Sequence, residues 1–284
     1  MTTKILSAKP LVEDSQAELA KRAAEVSKKR GFPPKLVVVL VGEDPASVIY
    51  TTNKGKSAVA VGMDHETVKF PATATPETVK KKIDQLNDDH KVDGIIIQRP
   101  LPKSFSEEEL IYWVSPEKDV DCFHPENLGR LMLGIDGMKS CTPLGVMRLL
   151  KFYGINPHGK TACVIGRSSI VGKPMTALLL NANATTVECH SHTQDLENWT
   201  LQADILVVAA GRPHLISKKH VKKGAVVIDV GIHKTAEGKT IGDVDTASLM
   251  DHASAVSPVP GGVGMTTINS LLFNTVFAAE SRLL

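Results

Sequence analysis

Ser47, Tyr50 and Lys54 sit three and four residues apart in the run Asp44-Pro45-Ala46-Ser47-Val48-Ile49-Tyr50-Thr51-Thr52-Asn53-Lys54-Gly55-Lys56. At about 100° per residue these positions share one narrow sector of an α-helix, while Lys56 points the opposite way. A phenol and an ammonium one turn apart each lower the cost of the other's less usual protonation state, which suits a site where a proton is moved. The same residues would also make a plain solvated helix face, with the Tyr packed along the Lys stem. Gly55 weighs a little against the plain reading. A mid-helix glycine costs about 1 kcal/mol relative to alanine, and the missing side chain would let a ligand approach the backbone.

Three further stretches could carry chemistry. Pro116-Glu117-Lys118-Asp119-Val120-Asp121-Cys122-Phe123-His124 places three carboxylates, a Lys and a His in a short irregular loop, which reads as a binding loop or as a solvated one. Gly166-Arg167-Ser168-Ser169-Ile170-Val171-Gly172-Lys173-Pro174 follows the apolar run Thr161–Ile165 and precedes a helical pattern. Strand, glycine-rich turn and helix form the geometry in which backbone N–H groups and a helix N-terminus hold a pyrophosphate. The spacing is G-x-x-x-x-x-G, so the usual G-x-G-x-x-G is absent. Pro258-Val259-Pro260-Gly261-Gly262-Val263-Gly264 is either a connector or a loop whose glycines permit close approach to a ligand.

The elements that must hold these residues alternate. Residues 12–30 have helical apolar spacing and stop at Gly31; Leu36–Val41 is a strand buried on both faces. Asp44 caps the next helix, with Pro45 in its first turn and its close near Gly62. A strand over His65–Phe70, a helix opened by Thr75-Pro76 and a strand over Gly94–Gln98 follow, which implies a parallel sheet with Gln98 at a carboxyl end, where ligands collect. In the second half a helix from Thr142-Pro143 to about Tyr153 leads into strands Thr161–Ile165, Thr186–Cys189, Ile205–Ala209 and Val226–Val230, the pattern of a doubly wound sheet. An NAD site usually ends the second of these strands with Asp or Glu, whereas here it ends His190-Ser191-His192-Thr193. Arg167 and Ser191 favour a 2′-phosphate and hence NADP, with Glu188 inside the strand discounted but not excluded.

Composition bounds the partners. The chain has 284 residues, enough for two domains, and its 33 basic and 31 acidic side chains leave a formal charge of +2. No global field draws it to nucleic acid or to an anionic membrane. The N-terminus lacks an apolar core for a signal peptide and no run reaches a membrane span, so the expected location is the cytoplasm. Cys122, Cys141, Cys163 and Cys189 lack C-x-x-C spacing, and His190-Ser191-His192 has no third ligand, so no metal site is expected.

Taken together the motifs resemble the bifunctional methylenetetrahydrofolate dehydrogenase/cyclohydrolase family. They are Ser47-x-x-Tyr50-x-x-x-Lys54-x-Lys56, Gln98-Arg99-Pro100-Leu101-Pro102, Lys118-Asp119-Val120-Asp121, the Gly166–Pro174 turn, Gly242-Asp243-Val244-Asp245 and Pro258–Gly264, in the family's order over nearly the full chain. The resemblance implies an α/β chain of two domains with the active-site cleft between them. A folate-binding catalytic domain would span residues 1–138 plus 266–284, and a Rossmann-like NADP-binding domain 139–265. It implies oxidation of methylenetetrahydrofolate by NADP, then hydrolysis of the methenyl product to formyltetrahydrofolate, within one-carbon metabolism and purine biosynthesis. Lys54 would be the acid–base group, Tyr50 would position the folate, Gln98 would tune Lys54, and Asp121 would bind the pterin. Ser47, Pro258, Gly261 and Gly262 would complete the substrate site, and Gly166, Arg167, Ser168, Ser191 and Ile232 the cofactor site. A homodimer paired through the nucleotide domain is implied as well.

Four positions depart from the family pattern: Arg99 for Leu, Cys122 for Gly, Ser140 for Pro and Met265 for Pro. Three rival readings remain. Short-chain dehydrogenases also carry Tyr-x-x-x-Lys, but after their nucleotide-binding turn, whereas here it precedes Gly166. A dehydrogenase without the hydrolase activity and a non-catalytic NADP- or folate-binding protein are the others.

Overall fold

A computed structural model describes residues 2–283. In chain order the elements are β1 (Lys4–Ile5), α1 (Lys9–Arg30), β2 (Lys35–Val41), α2 (Pro45–Ala60), β3 (Asp64–Phe70), α3 (Pro76–Asp88), β4 (Gly94–Ile97), α4 (Glu107–Leu110), α5 (Pro125–Met132) and α6 (Cys141–Phe152). They continue as β5 (Thr161–Ile165), α7 (Gly172–Asn181), β6 (Thr185–Cys189), α8 (Leu196–Thr200), β7 (Ile205–Val208), β8 (Val226–Asp229), β9 (His233–Lys234), β10 (Thr240–Ile241), β11 (Ala255–Val256) and α9 (Val263–Ser281). The chain divides into two compact units. One comprises the described residues up to Glu13 with Leu131–Ile135 and Thr142–Thr267; the other comprises Asp14–Arg130, Asp136–Cys141 and the described residues from Ile268.

The unit holding Lys54 is built on a parallel sheet ordered β3-β2-β4, with Val38 opposite Thr67 on one side and Ile96 on the other. β2 is central because Leu36–Val41 offers no polar side chain to either face, and every one of these residues is buried. Val79, Ile83 and Leu86 recur at helical spacing on α3 and pack with Val37, Val39 and Ile95. Each such side chain contributes about 1.5–3 kcal/mol on burial. Asp93, at the foot of β4, is wholly buried, and its carboxylate accepts from Arg30 of α1 and from the Lys35 amide at 2.8 Å.

The other unit holds a parallel sheet ordered β1-β11-β8-β7-β5-β6, with a two-stranded β9–β10 ribbon apart from it. β5, β7 and β8 lie in its middle, and their unbroken apolar runs are buried throughout except at Val226. β1 had no counterpart in the sequence reading, which assigned residues 1–138 to the first domain. Lys4 and Ile5 pair in parallel with Ala255 and Val256, and Leu6 N donates to Val256 O at 2.8 Å, so the first strand extends the nucleotide-type sheet. A two-residue strand has no periodicity to read.

Candidate active site

α2 starts where its residues require. The Asp44 carboxylate accepts from Ser47 N at 2.8 Å and Pro45 opens the first turn, which sets the phase of the side chains that follow. That phase puts Ser47 and Lys54 in the interior, 3% and 8% exposed, with Tyr50 half-buried beside them. Lys54 Nζ donates to Gln98 Oε1 at 2.9 Å and lies 5.9 Å from the centre of the Tyr50 ring. Gln98 is fixed at both ends of its amide and along its backbone: Nε2 donates to Arg99 O at 2.6 Å, and its N–H donates to Val39 O. Ser47 Oγ donates to the same Arg99 carbonyl at 3.3 Å. Of the expected group, Ser47, Lys54 and Gln98 are therefore joined by hydrogen bonds through Arg99 O, and the Tyr50 ring lies beside Lys54. Burial raises the pKa of the Tyr50 phenol, which keeps it protonated and able to donate.

Asp121 lines a neighbouring cavity with Arg99, Phe123 and the β4 residues Ile95, Ile96 and Ile97. The Arg99 guanidinium is held there by Glu107 at 2.8 Å and lies 4.9 Å from the centre of the Phe123 ring. The loop around Asp121 divides its polar residues between two tasks. Lys118 Nζ is consumed by three carbonyls, Leu86, Asn87 and Asp89, at 2.6–2.8 Å, and burial lowers its pKa. The Asp119 carboxylate accepts from His124 N at 2.8 Å and Asn127 Nδ2 at 3.0 Å, and burial raises its pKa. Two of the loop's charged groups are thus internal braces, and Asp119 and Asp121 both line the cavity.

Cys141 and Asn274 were not singled out as site residues in the sequence. The Cys141 thiol donates to Val120 O at 3.2 Å; burial, and next the Asp121 carboxylate, push its pKa up. Asn274 Nδ2 donates to Val120 O and Lys139 O, each at 2.7 Å, and so fixes the backbone before Asp121. Its signal was an amide in the middle of the apolar α9. Gly55 corrects an expectation. A Cβ there would lie 2.5 Å from the His65 ring, so the gap admits an imidazole from β3 and not a ligand.

The second group of expected residues lies in the other unit. Gly166 ends β5 with φ +122°, and a Cβ on it would fall on Ala209 O; a Cβ on Gly172 would fall on Gly166 O. Only glycine lets this turn fold so closely onto β7 and the start of α7. Ser168 Oγ accepts from Val171 N at 3.1 Å and Gly172 N at 3.4 Å, bracing the turn. Beyond it is a cavity of about 410 Å³ lined by Gly166, Arg167, Ser168, His190, Ser191 and Arg212, among others, and none of the residues lining it is Asp or Glu. A glycine cradle with guanidinium groups and a hydroxyl fits a phosphorylated dinucleotide.

Ile232 is not in that cavity. It lines a second one of about 160 Å³ in the same unit, with Asp229, Pro258, Gly261, Gly262 and Met265. Gly261 has φ +97°, and a Cβ on Gly262 would fall on Pro258 O, so both glycines are required by the loop's own path.

Residues 6–121 match the family described as tetrahydrofolate dehydrogenase/cyclohydrolase, catalytic domain, and residues 140–283 match its NAD(P)-binding domain. The chain is 50% identical over 277 residues to the bifunctional protein FolD of Synechococcus sp. (strain WH7803), covering 98% of this chain and 94% of that one. It is similar to the solved structure of the bifunctional enzyme FolD, methylenetetrahydrofolate dehydrogenase/cyclohydrolase, from Campylobacter jejuni. There the TM-score is 0.96 with 42% identity, over 99% of both chains. The Trypanosoma brucei N5,N10-methylenetetrahydrofolate dehydrogenase-cyclohydrolase (FolD), solved with NADP cofactor and an inhibitor, gives a TM-score of 0.93 and 32% identity over 99% of both chains.

Proposed function

The chain belongs to the tetrahydrofolate dehydrogenase/cyclohydrolase family, and we propose that it oxidises methylenetetrahydrofolate with NADP and then hydrolyses the methenyl product to formyltetrahydrofolate. The observation that carries this reading is the buried Lys54 amino group hydrogen-bonded to Gln98 and flanked by Tyr50, within the segment that matches the catalytic domain. NADP, when bound, supplies the acceptor for the hydride that leaves the one-carbon bridge. For that step the chain's own part is alignment, since a hydride moves only between carbons held in close, fixed geometry.

Hydrolysis asks for more. Water adds to the methenyl carbon, a carbon–nitrogen bond breaks, and the water gives up both its protons, one to solvent and one to the departing nitrogen. Lys54 takes and returns that proton at Nζ, and the Gln98 amide, locked by Arg99 O, holds Nζ in one direction. The half-exposed Tyr50 ring offers the folate a flat apolar face, Ser47 supports the start of the same helix face, and Asp121 accepts from the pterin. Pro258, Gly261 and Gly262 are assigned to substrate and Ile232 to the cofactor, all four lining one cavity. Gly166, Arg167, Ser168 and Ser191 are assigned to the dinucleotide, with Arg167 and Ser191 favouring the 2′-phosphate.

The same reading makes the protein a cytoplasmic homodimer that serves purine biosynthesis. All four cysteines are free thiols, as a reducing compartment allows, and no helix among the described residues is long and apolar enough to cross a membrane. Met132, Leu133 and Ile135 are exposed in the segment that Asn181 ties to α7, where Leu180 is exposed too. Such a patch on the nucleotide unit supports pairing there.

Purified protein given methylenetetrahydrofolate and NADP should form the methenyl product and then consume it; formation without accelerated decay would leave a dehydrogenase alone, and binding without turnover a non-catalytic protein. Lys54→Met keeps most of the stem and removes the ammonium. We expect it to slow methenyl hydrolysis by a factor of about 10² or more while part of the dehydrogenase activity survives. Decay at the wild-type rate after background subtraction would remove Lys54 from the mechanism.

A further inference from the structure

Asp243 belongs to the Gly242-Asp243-Val244-Asp245 motif, which nothing in the reaction has used. Its side chain is wholly buried, and every lone pair that faces a donor is taken. Oδ2 accepts from Ala210 N at 2.7 Å and Gly211 N at 2.9 Å; Oδ1 accepts from Arg212 N at 2.8 Å and from His233 Nε2 at 2.7 Å. The three amides belong to consecutive residues just past β7, in a segment without regular structure, and Asp243 is the acceptor they share. Ala210 and Arg212 line the cavity that also holds Arg167 and Ser191.

His233 opens β9 directly after Ile232, which lines the other cavity of the same unit with Pro258 and Gly261. One carboxylate is therefore bonded to segments that border both cavities. Asp229 holds Asp243 in place from behind. Its Oδ1 accepts from Asp243 N at 3.0 Å and Gly231 N at 2.9 Å, and its Oδ2 accepts from Val244 N at 3.0 Å. Gly231 and Gly242 are the glycines this packing demands, because a Cβ on the first would collide with Asp243 and on the second with Asp229. The motif thus reads as a clamp with its recess.

We propose that Asp243 is a positioning residue for the nicotinamide dinucleotide, acting through the Ala210–Arg212 backbone on one side and through His233 on the other. It touches no substrate. Its carboxylate gathers three N–H groups that would otherwise point in unrelated directions, and this fixes the wall from which Arg212 faces the cavity. The His233 bond holds the strand that follows Ile232 in a matching position. The proposal rests on the dinucleotide reading of this unit. It differs from the role given to Arg167, because a positioned backbone serves NADP and NAD alike.

The test compares wild type, Asp243→Asn, His233→Leu and His233→Gln by NADPH fluorescence titration and by initial rates. Asn keeps the shape of Asp but turns an NH2 toward backbone donors. We expect Asp243→Asn to raise the NADPH Kd and the KM for both NADP and NAD by about 10- to 100-fold, the worth of charge-assisted hydrogen bonds. The kcat at saturating cofactor should stay within about threefold, as positioning of a binding wall implies. Methenyl hydrolysis, which consumes no cofactor, reports whether the protein is folded. His233→Leu should weaken NADPH by about 3- to 10-fold, the worth of one such bond, and His233→Gln, which can still donate, should recover most of the loss.

Unchanged cofactor affinity in Asp243→Asn would overturn the proposal, as would a parallel collapse of cofactor binding, kcat and methenyl hydrolysis. Should Asp243→Asn fail to fold, the His233 pair decides: equal behaviour of Leu and Gln refutes the link. Wild-type protein that does not bind NADPH would overturn the dinucleotide reading itself, and the proposal with it, a result separable from any effect confined to the variants.

Discussion

Arg167 and Arg212 give the cavity beyond Gly166 its positive character, and no acidic side chain among its lining residues opposes them. Of the two, Arg167 lies in the glycine-rich turn and Ser191 directly past β6, which is the place of the adenosine ribose in doubly wound sheets. Arg167→Ala should therefore weaken NADP more than NAD, by about 1.5–3 kcal/mol, the usual contribution of a charge-assisted hydrogen bond. Paired Kd measurements check this, and equal losses for the two cofactors would withdraw the 2′-phosphate assignment. Elsewhere single residues explain each other. Cys122 and Ser140, both departures from the family pattern, touch: Ser140 Oγ reaches Cys122 O at 3.4 Å, and the Cys122 thiol reaches Met138 O at 3.5 Å. Cys122 has φ +61°, the left-handed conformation for which a glycine is suited, so the backbone here makes this turn with a residue that finds it costly. Nothing in the structure explains Met265.

Helix α2 shows how one element serves two faces. Ser47, Tyr50 and Lys54 carry the candidate chemistry on one face, while Gly55 receives the His65 ring of β3 on another. Alanine in an exposed helix would gain about 1 kcal/mol over glycine, but here the added Cβ meets the imidazole, so we expect Gly55→Ala to destabilise by about 1–3 kcal/mol. Adding His65→Ala should restore the loss, and a double-mutant cycle by urea unfolding measures the coupling; strictly additive effects would mean the ring moves aside freely. The sequence made α2, α3, β2 and β5 legible because their signals are local: Asp44 and Thr75 as caps, Pro45 and Pro76 in first turns, and unbroken apolar runs in the strands. It also placed Gln98 beside Lys54, because strand ends and following helices meet at one edge of a parallel sheet. It did not show β1, β9, β10 or β11, each two residues long and defined by a distant partner. Without the resemblance, the residue types alone could not separate Asp121 from Lys118 and Asp119, or foresee that Asp229 and Asp243 would meet, since burial is decided by chain far away.

Among the described residues the buried carboxylates of Asp93 and Asp229 are held in two different ways, and that of Asp229 makes stability depend on pH. Asp93 has cations for partners, Arg30, which is half-buried, and Arg282, which is exposed. Asp229 has only dipoles: three backbone N–H groups face it, and the nearest charge is the like charge of Asp243. Burial, against the pull of those N–H groups, raises its pKa from 3.8 to about 6. A carboxyl group that holds its proton more tightly when folded contributes stability that is fully present below pH 3.8 and lost as the pH rises through about 6. The loss amounts to about 3 kcal/mol at neutral pH. Asp229→Asn cannot ionise, so it has its own fixed cost but no such pH dependence. We therefore expect the advantage of wild type over Asp229→Asn in urea unfolding to shrink by about 2–2.5 kcal/mol between pH 4 and pH 7. A constant difference across that range would mean that Asp229 keeps an ordinary carboxylate pKa, and that its three N–H donors outweigh its burial.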